Sequence, residues 1–236
     1  MNSVRIYYPK HIIQSSTTLL SKEHTHYLVN VMRLKRGSLV NFFNKEGEWE
    51  SEIVFLEKER VEVKFLNKVK ENIKLINIEL GICLVKKNPM EIIFQKATEL
   101  GVRKITPIIS ERTEVKELNI ERANKIVIEA TEQSNQLNPP EISEVTKLKK
   151  FIENIENKTL FFADINSDYK LEAKNIIPGK VNCILIGPEG DFSLSERELI
   201  LKNVNTIPFS LSKNILRADT AVISAISLIN FISTDH

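Results

Sequence analysis

The sequence predicts an α/β protein in which a small β-barrel precedes a parallel sheet covered by helices on both faces. Two observations lead to this prediction. Apolar residues alternate over much of the first third of the chain, and apolar strands then alternate with helical segments of roughly 10–15 residues. Polar and charged residues 68–74 stand between the two patterns and form the candidate linker. We therefore place the domains at residues 1–72 and 73–236.

The first domain is predicted from short strands. In segments 50–56 and 60–66 the odd positions carry the apolar residues Ile53, Phe55, Val61, Val63 and Phe65. A period of two is typical of antiparallel strands with one solvated face. The remaining elements of this domain are strands at 4–8 and 38–43, a turn at 44–47, and a helix over 23–31 with Ser21 as its N-cap. Together they indicate a barrel of about 70 residues.

The second domain is predicted from alternating strands and helices. Asn88 as N-cap and Pro89 at the first helical position begin a helix that Gly101 ends. Ser193 and Glu196 have the spacing of a capping box and begin another. The other expected elements are strands at 76–85, 105–109, 160–163, 181–186 and 207–211 and helices at 120–133 and 220–232. Strands connected through helices run parallel and are covered on both faces.

Composition excludes several classes of protein. The 33 Lys and Arg exceed the 31 Asp and Glu by only two charges, which disfavours a generic histone-like nucleic-acid binder. The charge is uneven: residues 1–75 have a net charge of +4, so a polyanion should meet this region first. Cys83 and Cys183 lie in apolar runs and are expected to be buried thiols of a cytoplasmic protein. We find no metal-ligand spacing, secretion signal or membrane span.

The strongest candidate site is the turn after the strand at 181–186. It contains Gly187 and Gly190, and a helix follows at once. In open α/β sheets ligands bind beyond the carboxyl ends of the strands, and glycines let the backbone approach a ligand. The turn lacks the patterns of a nucleoside triphosphate or dinucleotide site. An ordinary connection between strand and helix is the alternative interpretation.

Two further loops follow strands and precede helices. The loop at 211–221 contains Arg217, beside an apolar helix that Asp219 or Thr220 could cap. Arginine is a poor core residue, so Arg217 is expected to have an anionic or carbonyl partner, with an internal salt bridge as the alternative. The third loop, 110–113, follows the strand at 105–109. The order of the elements allows all three loops to converge on one pocket.

Several motifs that follow one another along the chain are similar to those of one known family. They lie at 26–28 with 31–33 and Gly37, and at 86–107, 129–134, 186–193 and 215–221. In this order they resemble the ribosomal RNA small subunit methyltransferase E family of the SPOUT class. The similarity runs from end to end, and several spaced motifs in order are more specific than any one alone.

The resemblance implies an enzyme that transfers a methyl group from S-adenosylmethionine to N3 of a uridine in 16S ribosomal RNA. It implies a PUA-like RNA-binding β-barrel at 1–72, and at 73–236 a SPOUT α/β methyltransferase domain with a C-terminal trefoil knot. It also implies a homodimer that acts on the small ribosomal subunit. The cofactor would lie in the knot, held largely by backbone groups of Ile186, Gly187, Pro188, Glu189, Gly190, Leu211, Ile215 and Leu216.

Candidate roles follow from the chemistry of this reaction. Uracil N3 is a weak nucleophile until its proton leaves, so a base and a group that stabilises the resulting anion are needed. Arg217 is the candidate for the anion and Glu189 the candidate base. The alternative for Glu189 is a carboxylate that is favoured there by the dipole of the following helix. The basic side chains expected to contact RNA phosphates, each with a solvated surface charge as the alternative, are Arg5, Lys10, Arg33, Lys35, Arg36 and Arg112.

The chain departs from the family pattern in places, four of which lie in the loops after the strands at 181–186 and 207–211. The family usually has Gly where Asp191 and Ser212 stand, Arg where Asn214 stands, and Glu where Asp219 stands. Two alternative functions stay open at this point. One is a PUA-like RNA-binding ribosome-assembly factor without catalysis, and the other is a SPOUT methyltransferase for another RNA nucleotide. A measurement of cofactor binding separates the assembly factor from the enzymes.

Overall fold

The computed structural model describes residues 4–72 and 77–233, which divide into two compact units. The first unit combines described residues 4–72 with Thr131–Asn138, and the second contains the other described residues. The predicted boundary between residues 72 and 73 adjoins 73–76, which lie outside the described residues. The same is true of the start of the strand predicted at 76–85.

The first unit is built on a five-stranded sheet. Its strands are β1 (Arg5–Tyr7), β2 (Thr17–Leu19), β3 (Leu39–Asn44), β4 (Gly47–Glu57) and β5 (Arg60–Glu71). They lie in the order β1-β3-β4-β5-β2, with β1 parallel to β3 and the other neighbours antiparallel. The three-residue strand β2 is too short to show a pattern, and the sequence did not predict it.

The interpretation of residues 68–74 as a linker is wrong for 68–71. These residues continue β5, where Lys68 pairs with Trp49 and Lys70 with Glu48 of β4. Their side chains are mostly exposed. The polar composition therefore belongs to the solvated face of a strand and not to a linker between domains. Register shifts in the β4–β5 ladder also turn Phe55 partly out of the core, although it follows the alternation of its neighbours.

The predicted helix of the first unit begins where expected. Helix α1 (Lys22–His26) has Ser21 as its N-cap, whose hydroxyl accepts a hydrogen bond from the His24 amide at 3.2 Å. The chain then continues as a π-helix over Tyr27–Val31. The hydrophobic core contains an aromatic cluster in which Phe42 meets Tyr8 and Phe65 edge to face, with ring centroids 6.0 and 5.8 Å apart.

The second unit contains a wholly parallel sheet, as the sequence predicts. Its strands are β6 (Ile78–Cys83), β7 (Lys104–Ile109), β8 (Glu141–Ile142), β9 (Thr146–Lys147), β10 (Lys158–Ala163), β11 (Val181–Ile186) and β12 (Thr206–Phe209). The order is β12-β10-β11-β6-β7-β8, and β9 also pairs with β7. Strands β8 and β9 have two residues each and give no sequence signal.

Helices cover both faces of this sheet, which confirms the predicted architecture. They are α2 (Lys87–Glu99), α3 (Ile120–Gln133), α4 (Leu148–Glu153), α5 (Leu194–Lys202) and α6 (Ala218–Ser233). One core cluster joins alternate β6 residues such as Leu80 and Ile82 to α2, α3 and α6, and the other joins Phe162 and Leu185 to α4 and α5. None of the described helices combines the length and hydropathy that a membrane span requires.

Two predicted helix starts need correction, whereas the predicted end of α2 and the predicted start of α5 are confirmed. Helix α2 has Lys86 rather than Asn88 at its N-cap, with Pro89 as its third residue. Proline fits there because the first amides of a helix have no partner within it. Helix α6 begins at Ala218, so Asp219 and Thr220 lie in its first turn and do not cap it. Gly101, with φ +85°, follows α2, and Ser193 and Glu196 form the predicted capping box of α5.

Candidate active site

A cavity of about 920 Å³ lies at the carboxyl edge of the parallel sheet. Its wall comes from the loops that follow β6, β10, β11 and β12, four strands that are neighbours in the sheet. Ligand pockets occupy roughly 300–1,000 Å³ and in open α/β sheets lie beyond the carboxyl ends of the strands. Both the position and the size of this cavity are therefore those of a binding site.

The two strongest sequence candidates meet in this cavity. Its lining includes Ile186, Gly187, Pro188, Glu189, Gly190, Leu211, Ile215, Leu216 and Arg217. The third predicted loop, 110–113, does not line it but contacts the outside of its wall, where Arg112 donates a hydrogen bond to the Gly190 carbonyl at 3.0 Å. Two other segments do line the cavity, 86–89 and 163–165, and sequence reasoning missed both.

The two glycines of the β11 loop both line the cavity, and they differ in how closely the rest of the protein approaches them. A Cβ at Gly187 would stand 3.0 Å from the Phe192 ring, a residue of the core beneath α5. A Cβ at Gly190 would stand 3.6 Å from the Arg112 side chain, which is an ordinary contact. A side chain at position 187 would therefore press on the Phe192 ring, whereas one at position 190 would make an ordinary contact.

Asp191 holds the sharpest turn of the loop. Its φ is +57°, the left-handed region that glycine adopts without strain. The amide of Asp191 donates to the Pro188 carbonyl at 3.0 Å, and its own carboxylate accepts the Phe192 amide at 2.8 Å. A short polar side chain that bonds the adjacent backbone is the usual non-glycine solution for this conformation.

Glu196 anchors this loop to its neighbour. Its side chain is buried, and one carboxylate oxygen accepts the Ser193 amide at 3.1 Å in the α5 capping box. The other oxygen accepts the Glu111 amide at 2.8 Å. One carboxylate thus fixes the first turn of α5 and the loop after β7, and both segments adjoin the cavity wall.

Asp164 is a cavity residue that the sequence analysis did not identify. It follows β10 directly, and its side chain is only 2% exposed. Its Oδ2 accepts from Nε and Nη2 of Arg197 at 3.0 and 2.7 Å, and its Oδ1 accepts from the Asn166 amide at 3.0 Å. The sequence signal that could have identified Asp164 was its position at the carboxyl end of the strand predicted at 160–163.

Arg217 and Glu189 are exposed side chains in the cavity lining. Within residues 4–72 and 77–233, neither side chain has an ion pair or side-chain hydrogen bond, so the alternative of an internal salt bridge for Arg217 is not realised there. A guanidinium and a carboxylate are thus both available to a ligand. The first can stabilise an oxyanion, and the second can accept a proton.

The prediction that Arg5 contacts RNA is wrong. Its side chain is 11% exposed and lies in the first unit. Nε and Nη2 donate to the Glu48 carboxylate at 3.1 and 2.9 Å, and Nη1 donates to the carbonyls of Thr131 and Glu132 at 3.2 and 2.8 Å. Nη2 also donates to the Gln136 carbonyl at 2.7 Å. All five N–H donors of the guanidinium are used, so none is left for a phosphate.

The other basic residues predicted to contact RNA are exposed. Lys10, Arg33, Lys35 and Arg36 belong to the first unit, and Arg112 belongs to the second. In the described part of the chain the charged groups of the first four have no ion-pair partner. Arg33 stands at a sharp bend, with φ +53°, just after the π-helix. An RNA contact through these five residues stays a prediction.

Comparisons with known proteins cover almost the whole chain. Residues 71–230 match the family model of an RNA methyltransferase domain, and residues 20–66 match that of an RNA methyltransferase PUA domain. The chain is 32% identical to ribosomal RNA small subunit methyltransferase E of Rickettsia conorii, over 98% of this chain and 96% of that protein. It is 34% identical to the protein of that name from Buchnera aphidicola subsp. Schizaphis graminum, over 93% of each.

Solved structures of methyltransferases are similar to this chain over almost its whole length. A ribosomal RNA small subunit methyltransferase E from Neisseria gonorrhoeae, bound to S-adenosyl methionine, superposes with a TM-score of 0.90 at 27% identity over 98% of each chain. A Legionella pneumophila protein in complex with the same cofactor superposes with a TM-score of 0.87 at 29% identity, also over 98% of each chain.

Proposed function

The chain belongs to the ribosomal RNA small subunit methyltransferase E family, and from this premise we propose that it methylates N3 of a specific uridine in 16S ribosomal RNA. The methyl donor is S-adenosylmethionine. The observation that supports the proposal best is the cavity at the carboxyl edge of the sheet, lined by the residues that the family resemblance assigns to the cofactor. In this assignment residues 73–236 form the SPOUT methyltransferase domain and residues 1–72 the PUA-like RNA-binding domain.

The lining of the cavity fits an amphipathic cationic cofactor. Apolar side chains such as Ile165, Ile186 and Leu211 provide surfaces for a purine ring, and Ser210 and Asn214 provide polar groups. Ile215 is 89% exposed in this wall, so its apolar surface is available to a ligand. S-adenosylmethionine would supply a methyl group bound to a sulfonium sulfur. Because the leaving group is then a neutral thioether, the transfer needs no metal.

The residues of this chain would then prepare the nucleotide. Holding N3 in line with the methyl carbon supplies much of the rate enhancement. Glu189 would accept the N3 proton, and Arg217 would stabilise the negative charge that its loss leaves on O2 and O4. Glu189 lies before the first turn of α5, which begins at Leu194. Its carboxylate therefore takes no part in capping that helix.

Calorimetric titration with S-adenosylmethionine tests the cofactor site. We expect wild-type protein to bind and Ile215→Asn to bind at least fivefold more weakly, because its apolar surface would contact the cofactor. Val204→Asn is the matched control, since Val204 is 96% exposed and lies outside the cavity lining. Absence of binding to the wild type would favour the RNA-binding assembly factor, and equal affinity of the two variants would place the cofactor elsewhere.

Transfer of labelled methyl groups to unmethylated small ribosomal subunits tests the reaction. Arg217→Ala and Glu189→Gln should each lower kcat by about 10²-fold or more, the usual size of a general acid–base or oxyanion contribution, with cofactor affinity nearly unchanged. Nucleoside analysis of the product then identifies the methylated atom. A label on another nucleotide would favour the alternative of a SPOUT methyltransferase with a different RNA target.

We further propose that the C-terminal part of the chain forms a trefoil knot and that the protein is a homodimer. We also propose that it acts in the cytoplasm and prefers the assembled small ribosomal subunit to naked RNA. The exposed Phe231 on the apolar helix α6 supports the dimer. Light scattering should give twice the 27.1 kDa chain mass, and Phe231→Glu should lower it. Binding of naked RNA that stays tight at high salt would contradict the preference for the particle, because phosphate contacts weaken as salt rises.

A further inference from the structure

Two consecutive lysines stand at the cavity without an assigned role. Lys86 and Lys87 lie between β6 and the body of α2, are exposed, and belong to the cavity lining. In the described part of the chain neither ammonium group has an ion pair or hydrogen bond. Glu91, one helical turn after Lys87, instead accepts from Nε and Nη2 of Arg122 at 3.3 and 3.1 Å. The two positive charges are therefore uncompensated by direct contact.

The other charges of the cavity show why cations are needed there. Glu189, Asp191 and Asp219 also line it, and the fourth lining carboxylate, Asp164, is paired with Arg197. Three carboxylates would repel a polyanion that approaches the cavity. Lys86, Lys87 and Arg217 contribute three positive charges to the same wall. An RNA strand can close over the cavity only if such cations offset the carboxylates.

We propose that Lys86 and Lys87 bind the phosphate groups that flank the nucleotide entering the cavity. The proposal rests on the proposed function and adds an RNA contact region at the cavity itself, beside the contacts already predicted for the first unit and for Arg112. Lysine suits this role because its compact charge on a flexible stem contacts a phosphate without a fixed geometry. Such contacts position the RNA strand over the site and do not select its sequence.

The cofactor is the other source of an anionic group. S-adenosylmethionine has a single carboxylate, which one lysine would satisfy, and it also bears a sulfonium and an ammonium group that two adjacent lysines would repel. A strand of RNA presents several phosphates and no positive charge. The pair of lysines therefore matches the nucleic acid better than the cofactor.

The test compares two double variants that remove the same charge. Lys86→Gln with Lys87→Gln removes the cavity pair, and Lys149→Gln with Lys150→Gln removes an adjacent exposed pair on α4, outside the cavity. Three quantities are measured: cofactor affinity by calorimetry, kcat/KM for methylation of small ribosomal subunits, and the salt dependence of RNA binding. Thermal unfolding checks that both variants are folded.

We expect the cavity variant to keep cofactor affinity within twofold of wild type and to lose at least tenfold in kcat/KM. The slope of log K for RNA against log salt should become shallower by about 1.4–1.8, because two phosphate contacts are lost. The α4 variant should stay within twofold of wild type in kcat/KM. Arginine at both positions, Lys86→Arg with Lys87→Arg, should restore most of the activity, since it preserves the charges.

Three results would overturn the proposal. An unchanged salt slope with unchanged kcat/KM would show that the lysines do not contact RNA. A tenfold loss of cofactor affinity with an unchanged salt slope would assign them to the cofactor carboxylate. Equal losses in both double variants would show a general charge effect. If the wild type transfers no methyl group, the proposed function fails, and the salt slope of RNA binding still decides whether the lysines contact phosphate.

Discussion

The guanidinium of Arg5 donates hydrogen bonds through all three of its nitrogens within the first unit. It pairs with the buried Glu48 carboxylate, and its carbon lies 4.3 Å from the centre of the Phe43 ring. Asn41 donates a further hydrogen bond to Glu48 at 2.7 Å. In such a network the loss of one partner leaves an uncompensated buried charge, so the network is more sensitive to single substitutions than a surface pair.

This network gives a prediction about stability. Glu48→Ala should lower the free energy of unfolding by about 3–5 kcal/mol, because it leaves the buried Arg5 charge unpaired. Glu62→Ala is the control: it removes the partner of Arg60 in an exposed pair, which should change stability by less than about 1 kcal/mol. Urea unfolding measures both. Similar losses in the two variants would mean that Arg5 is effectively solvated.

The backbone at Asp191 gives a second prediction at the scale of one residue. Its φ of +57° strains any side chain except glycine and, to a smaller extent, Asp and Asn. Asp191→Gly should change the free energy of unfolding by less than about 0.5 kcal/mol, because relief of strain offsets the lost hydrogen bond to Phe192. Asp191→Val should cost about 1–3 kcal/mol. Equal values from urea unfolding would contradict this explanation.

At the scale of a single helix, the capping box of α5 predicts an asymmetry between its two members. Ser193→Ala removes one cap bond and should cost about 1 kcal/mol. Glu196→Ala should cost at least about 2 kcal/mol, because it leaves both the Ser193 and the Glu111 amides unsatisfied. Chemical denaturation of both variants measures the difference. A smaller effect at Glu196 would mean that water replaces its bonds.

Helices and strands that depend on local sequence were predictable. The bounds of α3 and β11 and the caps at Ser21 and Ser193 agree with the structure, because apolar periodicity and capping bonds act within a few residues. The β5 extension was missed because a solvated strand face and a linker have the same composition. Helix α4, β8 and β9 are too short for periodicity to appear.

The site was predictable only in part, for a physical reason. The loops after β11 and β12 have their own sequence signals, namely glycines and an arginine beside an apolar helix. The loops after β6 and β10 join the same cavity through the strand order, which local patterns do not encode. The role of Arg5 was misassigned for the same reason, since its partners lie as far away as Gln136.

At the scale of the whole molecule, both cysteines report on the integrity of the second unit. Cys83 and Cys183 belong to the core cluster between the sheet, α4 and α5, and burial raises the pKa of each thiol to about 12. The thiolate is the reactive form, so folded protein at pH 8 should not react with Ellman's reagent, whereas unfolded protein should expose both thiols. A fast-reacting thiol in the folded protein would mean that this cluster opens.

The positions of the four cavity-wall segments along the chain determine when the cavity can form during synthesis. They are spread between residues 86 and 221 of the chain. At a synthesis rate of about 5–20 residues per second, the last segment follows the first by roughly 7–27 s. Until then a nascent chain has no pocket that could capture the methyl donor. The enzyme therefore acquires its activity late in its own synthesis, and a chain that stalls before α6 cannot compete for the cofactor.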